Sequence, residues 1–146
     1  MHIQRILLAT DSSAQARHAL AYAAELSARL GVPLVIATAF QIPNYPLPEG
    51  ALIASESTVA QLLERASRDV ALEKQSAIEL GAQGVETVVI EGPPASEIVR
   101  LAKERACDLI VMGSHGRGGL ARAILGSVAD RVMRTAHCPV MIVTHP

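Results

Sequence analysis

Apolar residues along this chain gather in short continuous runs, separated by longer stretches in which they recur every three or four positions. Residues 6–9, Ile-Leu-Leu-Ala, form the first run, and 34–40, 85–90, 109–112 and 140–143 form the others. Continuous runs, rather than strict alternation, mark strands covered on both faces. After the first run, Ala16, Ala19, Leu20, Ala23, Ser27 and Leu30 share one helical face, with Ser12 or Ser13 as the expected N-cap and Gly31 as the stop. A longer helical pattern covers 57–80, with Leu62, Leu63, Ala66, Val70, Leu72 and Ala77 among its apolar positions and Gly81 at its end. Gly92-Pro93-Pro94 turns the chain into a third helix that holds Ile98, Val99, Leu101 and Ala102 and stops near Ala106. A fourth runs over 127–135, ahead of Pro139.

The element order is therefore β-α-β-α-β-α-β-α-β. Such alternation predicts an α/β fold, a single open five-stranded parallel sheet with helices on both faces joined by right-handed crossovers. Pro43, Pro46, Pro48 and Gly50 make 41–50 a loop. No repeat, low-complexity tract or linker divides the chain, so 1–146 reads as one domain.

Composition narrows the function more than the fold. Thirteen basic residues stand against 14 acidic ones, which leaves no basic surface for nucleic acid. Aromatics are limited to Tyr22, Phe40 and Tyr45, too few for base-stacking platforms or a flavin face. No apolar run approaches the ~20 residues of a membrane span. The opening Met1-His2-Ile3-Gln4-Arg5 leads into a run too short for a signal peptide, so a cytoplasmic setting is expected. Cys107 and Cys138 lack metal-ligand spacing and read as small buried residues of a reducing compartment.

The segment after the fourth strand carries the chemistry. From Met112 it reads Gly113-Ser114-His115-Gly116-Arg117-Gly118-Gly119-Leu120, and Gly126-Ser127-Val128-Ala129 follows where the last helix begins. Glycine is needed where the backbone takes φ > 0 or where a phosphate must approach without a Cβ in the way. A helix N-terminus adds unpaired N–H groups and partial positive charge, and the Ser127 hydroxyl is placed to cap that helix or to meet a phosphate oxygen. Turn glycines with a serine cap are the alternative. Against it, 113–126 is much longer than the ~2–6 residues of an ordinary connection. No Gly-Lys-Ser/Thr is present, so this is not a Walker loop, and the spacing is not the dinucleotide Gly-x-Gly-x-x-Gly.

The Gly113, Gly116, Gly126, Ser127 pattern, with nine residues between Gly116 and Gly126, resembles that of the nucleotide-binding universal stress proteins. The opening residues 6–13, the segment 108–116 and the ending 138–143 are also similar to that family, so the likeness covers essentially the whole chain. The resemblance implies an adenine nucleotide alpha hydrolase-like fold with strand order 3-2-1-4-5. It also implies ATP as ligand, with Mg or Mn carried by its phosphates. Ligands in such sheets settle where the strand order reverses, here between strands one and four.

By the same resemblance, Ala9, Thr10 and Asp11 would line the adenine and ribose side, with Ala39 against the base. Met112, Gly113 and Gly116 would close over ribose and phosphates. Gly126, Ser127, Val128 and Ala129 would offer N–H groups to the outer phosphates, with His115 and Arg117 nearby. Ala9 departs from relatives that carry proline before the Thr-Asp pair. His2, His18, His137 and His145 are scattered and receive no role.

The resemblance implies a nucleotide-dependent signalling or protective module of the stress response, and three other readings stand beside it. A slow ATPase or phosphotransferase would have His115 as its only candidate base. A scaffolding dimer without nucleotide is opposed by the intact glycines. A response-regulator receiver fails, because one acid, Asp11, follows the first strand where paired acids are needed. In the 3-2-1-4-5 order the segment 140–143 becomes an uncharged edge strand, which predicts a homodimer through that edge.

Overall fold

The computed structural model describes residues 2–42, 56–115 and 125–144, without the side chains of 56 and 57. Five parallel strands, β1 (Ile6–Ala9), β2 (Pro33–Phe40), β3 (Gln83–Glu91), β4 (Leu109–Gly113) and β5 (Val140–Val143), form one sheet in the order β3-β2-β1-β4-β5. Helices α1 (Ala16–Leu30), α2 (Glu56–Glu79), α3 (Pro94–Glu104) and α4 (Ser127–Thr135) connect them. Among the described residues no helix is long and apolar enough to cross a membrane.

The continuous apolar runs are explained by two cores, one on each side of the sheet. Successive side chains of a strand point to opposite faces. Ile6 and Leu8 pack with Ala19, Leu20 and Ala23 of α1 and with Val70 and Ala77 of α2. Leu7 and Ala9 pack with Ile98, Leu101 and Ala102 of α3 and with Ala129 and Val132 of α4. Every position of β1 is buried, because neither face meets water. Its neighbours are in register on both sides, with Ala9 opposite Ala37 of β2 and Met112 of β4.

Two helical faces differ from the sequence expectation. Leu30 is 49% exposed at the end of α1, and Ala24 is buried instead. On α2, Ala66, Val70, Glu73 and Ala77 recur at four-, three- and four-residue steps, and of these Val70, Glu73 and Ala77 are buried. Leu72 lies roughly 130° around the helix from that line at 100° per residue, and both it and Leu63 are exposed. Apolar content alone drew these leucines inward, whereas the sheet accepts one narrow stripe. A glutamate occupies that stripe.

The caps were partly anticipated. Gly31 takes the left-handed conformation, φ +66°, and its N–H donates to the Ser27 carbonyl, the cost-free use of glycine at a helix end. Helix α1 starts later than expected, with Gln15 in the N-cap position. Ser13 still takes an orphan donor, because its Oγ accepts the Ala16 N–H at 3.2 Å. At α4 the N-cap is Gly126, and Ser127 is the first helical residue rather than the cap.

Candidate functional site

The sheet order reverses between β1 and β4, and at the carboxyl edge of such a reversal open α/β sheets form their ligand crevice. On one side of β1 lies a cleft of about 250 Å³. Asp11 and Ser12 enter it from the turn after β1, and Thr38, Ala39 and Phe40 from the end of β2. Helix α2 closes it with Leu62, Arg65, Ala66 and Asp69. Pockets that hold whole small-molecule ligands measure roughly 300–1,000 Å³, so this smaller cleft has the size for one ring system and leaves the rest of a larger ligand outside.

The turn that enters the cleft is tightly held. Asp11 Oδ1 accepts the Ser13 N–H at 2.9 Å, and Thr10 Oγ1 accepts the Ser12 N–H at 3.0 Å. Ser12 has φ +60°, uncommon for a residue with a side chain. Thr10 Oγ1 in turn donates to Oε1 of Glu73 at 2.9 Å in a buried contact. Burial raises the Glu73 pKa above the usual glutamate value. The hydroxyls of Thr10 and Ser12 oppose that rise, while the nearby charges of Asp11 and Asp69 add to it.

On the other side of β1, the end of β4 meets the start of α4. The Gly126 N–H donates to the Ser114 carbonyl at 2.7 Å, and the Ser114 N–H donates to Val143 at 3.1 Å. Ser114 Oγ and His115 Nδ1 are 3.0 Å apart. A Cβ on Gly113 would find ordinary contacts, 3.5 Å to the His115 carbonyl and 4.0 Å to the Gln15 carbonyl. One on Gly126 would lie 2.9 Å from the Ser114 carbonyl oxygen. Neither glycine has positive φ, so of the two reasons for glycine, only close approach applies here.

The structure thus separates the expected residues into groups. Asp11 and Ala39 line the cleft. Ala9, Thr10, Met112 and Ala129 are buried beneath or beside the crevice. Gly113, His115, Gly126 and Ser127 gather where β4 meets α4, and Val128 is exposed on the first turn of α4. Gly116 and Arg117 lie outside the described residues, as does most of the loop from 41 to 57. Arg65, Asp69 and Glu73 of α2 were missed. The signal for Glu73 was present, an acid at the centre of the Ala66, Val70, Ala77 stripe.

The family model for universal stress proteins, described as "Universal stress protein family", matches residues 2–144. The chain belongs to that family. Universal stress protein MJ0531 of Methanocaldococcus jannaschii is 36% identical over 148 residues, which cover 98% of this chain and 83% of that one. The solved structure of hypothetical protein MJ0577 superposes with a TM-score of 0.85 at 25% identity, over 100% of this chain and 99% of the other. A universal stress protein in complex with cAMP gives a TM-score of 0.74 at 26% identity, over 98% of each chain. The parallel sheet and its order are therefore those of solved universal stress proteins.

Proposed function

We propose that this universal stress protein binds an adenine nucleotide, ATP first, in the crevice between β1 and β4. It acts as a nucleotide-dependent module in a cytoplasmic stress response. The observation that carries the reading is a ring-sized cleft beside a glycine-lined helix start, joined by one turn. Asp11 of that turn lines the cleft, and the Gln15 carbonyl four positions on faces Gly113. A ligand with a flat ring at one end and anionic groups at the other fits this layout. The solved relative with cAMP, itself an adenine nucleotide, supports the same class.

In this reading Ala39 and Asp11 meet the base and ribose, with Ala9, Thr10 and Met112 shaping the floor. Gly113 and Gly116 admit the ribose and inner phosphates. The N–H groups of Ser127, Val128 and Ala129, in the first turn of α4, have no acceptor within the helix and are suited to the outer phosphates. His115 and Arg117 stand beside them, and Mg or Mn arrives with the phosphates. The protein binds as a homodimer through β5.

The test is to denature the purified protein and identify what it releases, then to titrate the emptied protein with ATP. A stoichiometric adenine nucleotide or saturable binding is expected. Neither one appearing overturns the reading.

One observation favours a second reading, slow ATP hydrolysis. The contact between Ser114 Oγ and His115 Nδ1 orients the imidazole, which is what a general base requires. Multiple turnovers that vanish in His115→Ala would place this reading first.

A further inference from the structure

Glu73 is 8% exposed and sits in a helical stripe that otherwise packs apolar side chains on the sheet. A leucine there would serve packing better, since burying an ionisable group is costly unless its partners compensate. The compensation at Glu73 is incomplete. Oε1 accepts the Thr10 hydroxyl, but Oε2 has no hydrogen-bond partner among the described residues. The Ser12 hydroxyl eases ionisation of the carboxyl, yet Oε2 stays without a partner. A buried acid that breaks the packing rule in this way points to a role other than packing.

Its partners show what that is. Thr10 Oγ1 has one proton and gives it to Glu73, which turns the oxygen's lone pairs toward the Ser12 N–H. The Ser12 that donates this N–H has φ +60°. The chain Glu73–Thr10–Ser12 runs from the helix that walls the cleft to the turn that carries Asp11 into it. We propose that Glu73 is a positioning residue for the ligand cleft. Acting through Thr10, it holds the Asp11–Ser12 turn in its binding conformation and couples that turn to α2. This inference rests on the proposed nucleotide reading and adds a residue from an element that the reading did not use.

Because Oε1 is the acceptor, glutamine keeps the relay intact and leucine breaks it. In the full chain, Glu73→Leu should raise the Kd for ATP roughly tenfold or more, since a buried hydroxyl loses its acceptor and the turn its anchor. Glu73→Gln should rescue binding to within about threefold of wild type. Thr10→Val cuts the same relay from the other end and should match Glu73→Leu. It also stands in if the leucine variant does not fold. Exchange of the Ser12 amide, read by NMR, should speed up in Glu73→Leu and Thr10→Val but not in Glu73→Gln.

Folded Glu73→Leu or Thr10→Val protein that binds ATP as tightly as wild type overturns the inference. If wild type binds no adenine nucleotide, the functional reading fails on its own. The amide exchange pattern then still decides whether Glu73 sets the turn. Uniform exchange across the variants refutes it.

Discussion

The Gly126 N–H meets the carbonyl of Ser114 at 2.7 Å, and the same oxygen would stand 2.9 Å from any Cβ placed at 126. One hydrogen bond thus pins the start of α4 to the end of β4, and it leaves no room for a side chain. Gly113, thirteen positions earlier, has space for a methyl group. Two glycines of one motif thus meet different surroundings.

They should separate on substitution. Gly126→Ala forces backbone to move and should cost about 1–3 kcal/mol of stability, as overpacking does. Gly113→Ala should leave stability unchanged or raise it by up to about 1 kcal/mol through the unfolded chain. It should still weaken ATP binding, because in the proposed site the new methyl group would stand in the path of the ligand. Thermal unfolding and calorimetric titration of both variants check this. If Gly113→Ala binds ATP normally, the crevice between β1 and β4 is not where the nucleotide lies.

Glu73 predicts a dependence of stability on pH. Its folded-state pKa is raised, chiefly by burial. The folded protein therefore holds the proton more tightly than the unfolded chain, and stability falls as pH rises through the folded value. The groups acting on the carboxyl are the hydroxyls of Thr10 and Ser12 and the charges of Asp11, from the turn after β1, and Asp69, from α2. Glu73→Gln lacks this titration. Below the ordinary glutamate value of 4.5 the contribution of Glu73 is fully present, and above it the glutamine variant should gain on wild type. Urea unfolding from about pH 4 to pH 8 measures it. Parallel curves for the two proteins would show that the buried carboxyl titrates normally.

The edge strand tests the dimer. The carbonyls of Pro139 and Val143 point at β4, where they accept the N–H groups of Ile110 and Ser114. By the alternation of a strand, the N–H groups of Val140 and Ile142 face outward. Ile142→Pro removes an outward donor without touching the ladder to β4. Light scattering should give a dimer for wild type and a monomer for this variant. A wild-type monomer at micromolar concentration ends the proposal.

Both thiols should be inert in the folded state. Burial pushes Cys107 up to about 11 and raises Cys138 as well. Thiolate is the reactive form, so iodoacetamide near pH 8 should spare both and modify both once urea is added. Rapid labelling of the folded protein at either site would contradict the burial argument.

Glu73 and the two glycines show how far the sequence was legible. The run Ile6-Leu7-Leu8-Ala9 announced a doubly covered strand, because a strand with helices on both faces has no position that tolerates water. Gly31 announced a helix end, because it must take φ > 0 there. Local rules of this kind act on neighbouring residues and can be read in order along the chain. The strand order came from family likeness, since hydrophobic runs do not say which strand pairs with which.

What only the tertiary structure decided depends on residues far apart in the chain. The stripe that α2 buries was settled by the sheet beneath it, which left Leu63 and Leu72 outside and took Glu73 in. The reason for glycine at 126 was settled by the carbonyl of Ser114, a backbone atom with no signature in the sequence. The link from Thr10 to Glu73 spans 63 positions. No periodicity carries such a pairing, because it exists only once the sheet has set α2 above the end of β1.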